Sequence, residues 1–320
     1  MITVKRKIQL IESCFGKCKI TTNGKNVIVF CSFCVEKGKK PEKRKLSVCL
    51  ENGIYHCWVC EAKGNNIGKP ALKFAIQKNA AKELYSYFKK GKNEIISTEE
   101  KKFIALPEDF RLISSSRGFA ETRGRKYLEN RGFTEKDIWR FKVGVSDKYS
   151  FKNRVIFTSF DNDQNLNYYT ARTYDKNNKK RYYNCQTSRK NIIFNEFDID
   201  FSKPIVLVEG VFDILHCPEN STCLLGSWLN EKYELFKKIV KHSTPITLCL
   251  DYDAIIKTQK IAKLLYEYCV DVRISNHKTN KDFSDMSKEE VKYWIRTAKP
   301  YDNVDRMTYL INEIKSGSMF

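Results

Sequence analysis

Residues 204–285 constrain the fold more than any other part of the chain, because short apolar runs there alternate with amphipathic segments. The apolar runs are residues 205–208, 246–250 and 270–274. Each is four to five residues long and rich in β-branched residues and leucine, which is typical of strands buried on both faces of a parallel sheet. Helical patterns occupy residues 211–217, 231–241 and 256–268. Strands that alternate with helices predict an open α/β sheet.

Acidic residues follow all three apolar runs. Glu209 follows the first, Asp251 and Asp253 the second, and Asp282 and Asp285 come after the third. Ligands of open α/β sheets bind at the carboxyl ends of the strands, so we expect these carboxylates to meet at one edge. Mg²⁺ or Mn²⁺ would relieve their mutual repulsion, and two such ions can hold the attacking and leaving oxygens of a phosphoryl transfer. The alternative is that they are ordinary loop acids, but the repeated pattern favours a metal site.

The arrangement resembles the Toprim domain of primases, type IA and type II topoisomerases and RecR-type proteins. The matching residues are Val208-Glu209-Gly210 and Asp251-Tyr252-Asp253, with Asp282 in the place of the third acidic element. The resemblance implies that the glutamate is a metal ligand or a proton shuttle and that the aspartates bind metal. Tyr252 departs from the small residue common between the two aspartates. The third element reads Asp282-Phe283-Ser284-Asp285, which leaves open whether Asp282 or Asp285 reaches the metal.

The charge of the chain is strongly positive and uneven. Its formal net charge is +20, of which residues 1–100 carry +11, residues 101–200 carry +8 and residues 201–320 carry +1. A basic front half ahead of an acidic site suits a polyanion that is held while metal ions act on it. Solubility alone is the simpler alternative. No apolar run of eighteen residues and no signal peptide is found, so we expect a cytoplasmic protein.

Four of the 12 cysteines have the spacing of a structural zinc site. Cys31 and Cys34 form one C-x-x-C pair, and Cys57 and Cys60 form the second after an intervening predicted hairpin. Two such knuckles place four thiolates within tetrahedral reach of one Zn²⁺ and leave no open coordination position. We therefore predict a zinc ribbon with a structural ion. A second metal pair at Cys14 and Cys18 is not favoured, because no partner pair follows it.

The ribbon also carries features expected of a nucleic-acid surface. Basic residues at positions 37–45 stand beside Phe33, Tyr55 and Trp58, and lysine or arginine combined with exposed aromatic rings suits single-stranded nucleic acid. Packing over the small ribbon core is an equally good explanation for each ring. Residues 55–74 resemble the zinc-binding domain of DnaG-type primases. Cellular members usually carry histidine as the second ligand, whereas Cys34 occupies that position here, as in primases of large tailed phages.

A middle region of basic strands precedes the acidic segment. Thr134 is predicted to cap a helix with Asp137 as its partner. Strand-like segments follow, and their basic residues can line one groove because alternate side chains share a face of a strand. A solvated basic face is the alternative. These strands contribute the nucleic-acid or nucleotide contacts that we predict together with Trp58: Arg154, Arg172, Arg181, Asn184 and Lys190.

The middle region resembles the RNA-polymerase core of DnaG-type primases. Residues 127–144 match a motif in which a helix and an Arg-Gly turn precede the strands, and residues 154–157 match the family's R-V-x-F strand. Tyr183-Asn184 matches a Y-L-N-like motif, and Lys190 matches loosely a lysine that follows it. In the family these positions face the template, the primer and the nucleoside triphosphates. The resemblance spans about residues 28–290, in family order.

The sequence thus predicts a multi-domain α/β protein made of a zinc ribbon, an α+β basic domain, a Toprim Rossmann-like parallel domain and a short helical tail. The expected parts are a zinc-binding domain (1–90), a linker (91–106), the basic part of the polymerase core (107–202), the Toprim domain (203–300) and the tail (301–320).

The favoured function is that of a DNA primase, which makes short RNA primers on single-stranded DNA with Zn²⁺ in the ribbon and two Mg²⁺ or Mn²⁺ ions at the acids. Its partners would be single-stranded DNA template, ribonucleoside triphosphates, the RNA–DNA hybrid and a separate replicative helicase, since no nucleotide-binding P-loop is found. If the chain is phage-encoded, it would act in the host cytoplasm. The alternative is a non-catalytic DNA-binding protein of the RecR type, which also joins a four-cysteine site to a Toprim domain. A topoisomerase or nuclease of the same superfamily is a third possibility, against which the absence of a recognisable strand-cleavage domain counts.

Overall fold

The computed structural model describes most of the chain. The described residues are 3–21, 24–38, 45–89, 104–226, 228–275, 281–302, 304, 305, 307, 308, 311 and 315. Within them lie three five-stranded sheets, one in each of the three expected folded regions. Most of the predicted linker, and the basic ribbon residues 39–44, fall outside the described residues.

The N-terminal region is an antiparallel sheet flanked by helices. Its elements are α1 (Val4–Phe15), β1 (Lys19–Ile20), β2 (Asn26–Val29), α2 (Ser32–Glu36), β3 (Leu46–Cys49), β4 (Tyr55–Cys57), β5 (Lys63–Gly64), α3 (Gly68–Phe74) and α4 (Lys78–Lys89). The predicted hairpin is present as β3 and β4, with Leu46 opposite Cys57. Gly53 takes a φ of +73° in its turn, a left-handed conformation that glycine adopts without strain. The strands run in the order β1-β2-β3-β4-β5.

The middle region is a second antiparallel sheet, which two helices accompany. Its elements are β6 (Arg111–Leu112), α5 (Phe119–Glu129), α6 (Glu135–Arg140), β7 (Gly144–Val145), β8 (Arg154–Phe160), β9 (Leu166–Thr173) and β10 (Tyr182–Asn184). The expected cap of α6 is present, because Thr134 Oγ1 accepts from the amide of Asp137 while the Asp137 carboxylate accepts from the amide of Thr134. The long β8–β9 pair forms the centre of the sheet, whose order is β10-β9-β8-β7-β6.

The third region contains the expected parallel sheet. Its elements are β11 (Ile205–Val208), β12 (Ser221–Cys223), α7 (Glu234–His242), β13 (Ile246–Leu248), α8 (Ile255–Glu267), β14 (Val272–Ile274), α9 (Lys288–Arg296) and β15 (Lys299–Pro300). The order is β12-β11-β13-β14-β15, parallel except for the last pair. All four residues of β11 are buried, as a strand covered on both faces requires. The described tail residues between 304 and 315 are helical.

The structure differs from the sequence expectations at two elements of this region. The segment expected to be helical at 211–217 contains only one 3₁₀ turn, Phe212–Ile214, and β12 was not expected. Because β12 is only three residues long, it lacks the extended apolar pattern that identifies a strand. Among the described residues, no helix has both the length and the apolar character needed to cross a membrane.

Two hydrophobic clusters join the three regions. One cluster combines the inner face of the middle sheet, including Val155 and Phe157, with Val206, Val208 and Phe212 of the parallel-sheet region. A second cluster combines Ile28 and Trp58 of the ribbon with the core around α7 and α8. The polar edge of the parallel sheet therefore lies against the middle sheet, while the ribbon packs on its helices.

Candidate active site and metal centre

The four predicted zinc ligands converge in the ribbon. The Sγ atoms of Cys31, Cys34, Cys57 and Cys60 all lie within 4.8 Å of one another. The Cys31–Cys60 and Cys34–Cys57 sulfur separations are both 3.6 Å, close to the about 3.8 Å spacing of four thiolates around a tetrahedral Zn²⁺ with Zn–S bonds of about 2.3 Å. Interaction with the neighbouring thiol of Cys31 is the main cause that lowers the pKa of Cys57 below its usual range. The four-cysteine set therefore fits a closed structural zinc site.

The acids of the parallel sheet are positioned by the ends of three neighbouring strands. Glu209 directly follows β11. Asp251 and Asp282 occupy equivalent places after β13 and β14, each directly before a 3₁₀ turn, Tyr252–Ala254 and Phe283–Asp285. One Asp251 carboxylate oxygen accepts from the amide of Phe283 at 3.3 Å, which ties the second acidic loop to the third. We call Glu209, Asp251 and Asp282 the acid edge.

The pKa of Glu209 is consistent with carboxylates that lie near one another. The pKa of Glu209 is raised, first by burial and then by the charges of Asp251, Asp253 and Asp282. Glu209, Asp251 and Asp282 line one cleft, but Asp253 is exposed and does not line it. No three of these carboxylates bring their oxygens within 4.8 Å of one another. A hard divalent cation suits this set of oxygen ligands, because it neutralises the repulsion that raises the pKa.

Sequence reasoning missed one acid in the cleft. Asp213 lies in the 3₁₀ turn after Glu209, and its carboxylate accepts from the amide of Gly210 at 2.7 Å. Burial, followed by the charge of Asp251, raises its pKa to about 7. The signal that could have revealed it is the i, i+4 spacing from Glu209, which would place both carboxylates on one side of a helical turn.

The raised pKa of Asp213 predicts a pH-dependent affinity for divalent ions. Below about pH 7 the folded protein holds a proton on this carboxyl, whereas an unfolded chain has already lost it, so the metal-free fold loses stability as pH rises from about 4 to 7. A cation must displace that proton. We expect Mn²⁺ to bind about tenfold more tightly at pH 8 than at pH 6, measured by titration calorimetry.

The matched control for this prediction is Asp213→Asn, which carries no titratable proton. Its Mn²⁺ affinity should vary less between pH 6 and pH 8 than that of the wild-type protein. An unchanged pH dependence in the variant would show that another group binds the proton.

A basic wall faces the acid edge across the cleft, which has a volume of about 520 Å³. The wall is formed by β9, the edge strand β10 and the turns beside them. Its residues are Arg131, Arg172, Arg181 and Arg189, and Asn184 lies among them. Thr170 donates from its hydroxyl to the Asn184 side-chain oxygen at 2.6 Å, which fixes the amide. The Arg172 guanidinium lies 4.5 Å from the centre of the Tyr182 ring, its cross-strand neighbour.

Three of the predicted nucleic-acid contacts lie outside this cleft. The Arg154 side chain is buried, and its guanidinium donates to the carbonyls of Lys180 at 2.8 Å and Arg181 at 3.1 Å, so it holds β8 to the chain before β10. Trp58 is 8% exposed and packs between the ribbon and the parallel-sheet region, not on a surface where a base could stack. Lys190 is exposed but does not line the cleft, whereas its neighbour Arg189 does.

The structure thus combines a four-cysteine ribbon, a basic antiparallel sheet and the acid edge, which is the combination that the sequence predicts. The chain is 23% identical to the DNA primase of Lactococcus lactis subsp. lactis, over 78% of this chain and 47% of that protein. No protein-family model matches the chain.

Two solved structures are similar in their arrangement. The Aquifex aeolicus primase, comprising its zinc-binding and RNA polymerase domains, gives a TM-score of 0.47 at 16% identity and covers 94% of this chain and 87% of that one. A DnaG primase catalytic domain bound to single-stranded DNA gives 0.48 at 14% identity, with 62% and 77% covered.

The curated relatives confirm the resemblance to DnaG-type DNA primases that the motifs indicate. The chain spans about half the length of these relatives. Their activity as whole proteins is therefore a proposal for this chain.

Proposed function

We propose that this protein is a DNA primase that synthesises short RNA primers on single-stranded DNA. The observation that carries the proposal is the cleft itself, in which Glu209, Asp251 and Asp282 face a wall of arginines. Carboxylates suit two hard divalent ions, and arginines suit the phosphates of a template, primer or nucleoside triphosphate. The ions would supply electrostatic stabilisation of the charge that develops on the transferred phosphoryl group.

The side chains then have separable roles in nucleotidyl transfer. Glu209, Asp251 and Asp282 would hold the ions, and exposed Asp253 would contribute negative charge or reach the second ion. Arg172 and Arg189 would bind phosphate oxygens through paired N–H groups. Tyr182, held against Arg172, offers a ring face to a base of the hybrid or the incoming nucleotide. Arg181 and Asn184 would orient the same strand.

The contacts of Arg131 indicate which of Asp282 and Asp285 would contact the metal ion. Its guanidinium lies 3.7 Å from the Asp285 carboxylate and donates to the Ser284 hydroxyl at 3.3 Å. Asp285 is thus paired with a cation of the middle region, whereas the charge of Asp282 acts on Glu209 and raises its pKa. We assign the metal contact to Asp282 and a positioning role to Asp285.

This assignment predicts different losses for two similar substitutions. Asp282→Asn should reduce primer synthesis by more than about 100-fold, since even partners that only orient metal ligands are worth 10–100-fold. Asp285→Asn should cost less than about tenfold, because it removes one half-exposed ion pair. Steady-state incorporation at several Mg²⁺ concentrations measures both, and a larger loss for Asp285→Asn would reverse the assignment.

A priming assay tests the function directly. Single-stranded templates of varied trinucleotide content, labelled ribonucleotides and Mg²⁺ should give short RNA products that depend on template. A non-catalytic RecR-like protein would bind the same DNA and incorporate nothing. Zinc content near one ion per chain checks the ribbon independently of the reaction.

We further propose that the protein works in the cytoplasm with a replicative helicase on a separate chain. The second zinc ligand is a cysteine, Cys34, as in the primases of large tailed phages. This resemblance supports a phage-type protein acting in its host. The domain boundaries expected from the sequence are part of the same proposal.

A further inference from the structure

One face of the zinc ribbon is buried against the helices of the parallel-sheet region. We call this the docking face and define it by Lys19, Ile28, Lys45, Trp58 and Glu61. Ile28 is 0% exposed and shares a hydrophobic cluster with the core around α7 and α8. Ile28 is therefore fully excluded from water where the ribbon meets these helices.

Trp58 is the centre of the docking face. Its ring lies edge-on to Phe236 at 5.8 Å and to Tyr268 at 6.4 Å, and those two rings lie 5.0 Å apart. His56 covers the indole from the ribbon side at 4.3 Å. The indole N–H is buried with no hydrogen-bond partner among the described residues. Its contribution is therefore that of a large apolar ring, for which phenylalanine is a suitable substitute.

Two lysines of the ribbon bind the end of α8. Lys45 Nζ donates to the carbonyl of Tyr268 at 2.7 Å, and Lys19 Nζ donates to the carbonyl of Tyr266 at 3.2 Å. The last carbonyls of a helix have no partner within the helix and favour cations. Lys45 is only 3% exposed, so withdrawal of the ribbon would remove both lysine bonds and expose the Tyr268 carbonyl, although the Tyr266 carbonyl would keep its bond from the Cys269 amide at 3.0 Å. A rim ion pair, Glu61 with Lys241, closes the contact.

The docking face is built directly on the metal centre. Trp58 stands between the ligands Cys57 and Cys60, and its amide donates to the carbonyl of Lys45 at 3.2 Å. Lys45 precedes Leu46, which pairs with Cys57 across the hairpin. Loss of the metal would release this knuckle and with it both of the main contacts to α8.

The other end of α8 carries the acidic site. The helix begins at Ile255, directly after the turn that contains Asp253 and follows Asp251. Its 13 residues span about 20 Å at 1.5 Å per residue. The ribbon thus lies on the order of 20 Å from the acids of its own chain, at the far end of the helix that positions two of them.

We propose that the docked zinc ribbon braces α8, so that zinc occupancy controls the order of this helix and of the acidic loop at its start. The proposal does not require the polymerase reaction, because its readout is the stability of a helix.

Amide hydrogen exchange on the full chain tests the brace. Zinc-loaded and chelator-treated wild-type protein are compared with Trp58→Ala, Trp58→Phe and the matched control Trp139→Ala, whose indole is 62% exposed. Zinc removal from the wild type should speed exchange in the last two turns of α8 by at least about tenfold. Trp58→Ala should bind zinc at the wild-type ratio yet exchange rapidly in α8, and chelation should then add little. Trp58→Phe and Trp139→Ala should behave as wild type.

The opposite pattern would overturn the proposal. If zinc removal speeds exchange only within residues 24–64 and leaves α8 protected, the ribbon is an independent module. Should Trp58→Ala fail to fold, Lys45→Met provides a second variant, because it keeps the apolar stem and removes the ammonium that donates to the end of α8. Unchanged α8 exchange in zinc-loaded Lys45→Met, together with unchanged α8 exchange after zinc removal from the wild type, would refute the brace.

Discussion

Replacement of Glu209 by glutamine should abolish primer synthesis while leaving the fold and template binding intact. The side chain keeps its size, but it loses the charge that Asp251, Asp253 and Asp282 act upon. A neutral amide is a poor ligand for Mg²⁺, and loss of a ligand should exceed the 10–100-fold cost of disturbing groups that only support one. We expect a fall of at least about 100-fold in nucleotide incorporation, measured with saturating template and Mg²⁺.

The control for this prediction uses an acid outside the cleft. Glu219 is exposed and pairs with Lys136 at the surface, so Glu219→Gln should retain full synthesis. Template affinity, measured by fluorescence anisotropy, should be the same for both variants, because the arginines of the basic wall are untouched. Full primer synthesis by Glu209→Gln would mean that the acid edge is not the reaction centre.

Replacement of Phe212 by alanine should cause a large loss in the free energy of unfolding. The ring is 5% exposed and lies 5.0 Å from Phe157 and 5.7 Å from Phe133, where the middle sheet meets the parallel sheet. The Arg131 guanidinium lies over the ring at 4.8 Å. Truncation of a buried phenylalanine costs about 3–5 kcal/mol, and here it would also free an arginine of the basic wall. The shift of the urea unfolding midpoint measures it.

A matched phenylalanine serves as the reference for that measurement. Phe119, on α5, is 80% exposed, so Phe119→Ala should change the free energy of unfolding by less than about 1 kcal/mol. Equal midpoints for the two variants would show that Phe212 does not join the two sheets in solution.

The acid edge was predictable because its determinants are local. A buried parallel strand of four residues has a strong composition signal, and the residue after it must lie at the carboxyl edge of the sheet. This local pattern places Glu209 and Asp251 at that edge, and Asp282 belongs to the acidic segment that follows the third apolar run. The four cysteines were predictable for the same reason, since two C-x-x-C pairs and a hairpin specify their geometry.

Residues whose role depends on packing between regions were not predictable. Trp58 has the composition signal of an exposed stacking residue, but the partners that bury it, Phe236 and Tyr268, are about 180 and 210 residues away in sequence. Arg154 is similar, because its hydrogen-bond acceptors are backbone carbonyls of β9 and of the chain before β10. Asp213 is not predictable from the end of a strand, because it lies in a 3₁₀ turn beyond Glu209 and its burial depends on tertiary packing.

The shared hydrophobic cluster behind the cleft has a mechanical consequence. Val155 and Phe157 on one side and Val206 and Val208 on the other belong to a single interior. Separation of the two sheets would expose this apolar surface to water, at a free-energy cost of about 25 cal/mol per Å². This cost opposes any separation of the arginines from the carboxylates, so under the proposed function a growing strand would advance by sliding between the two walls of the cleft.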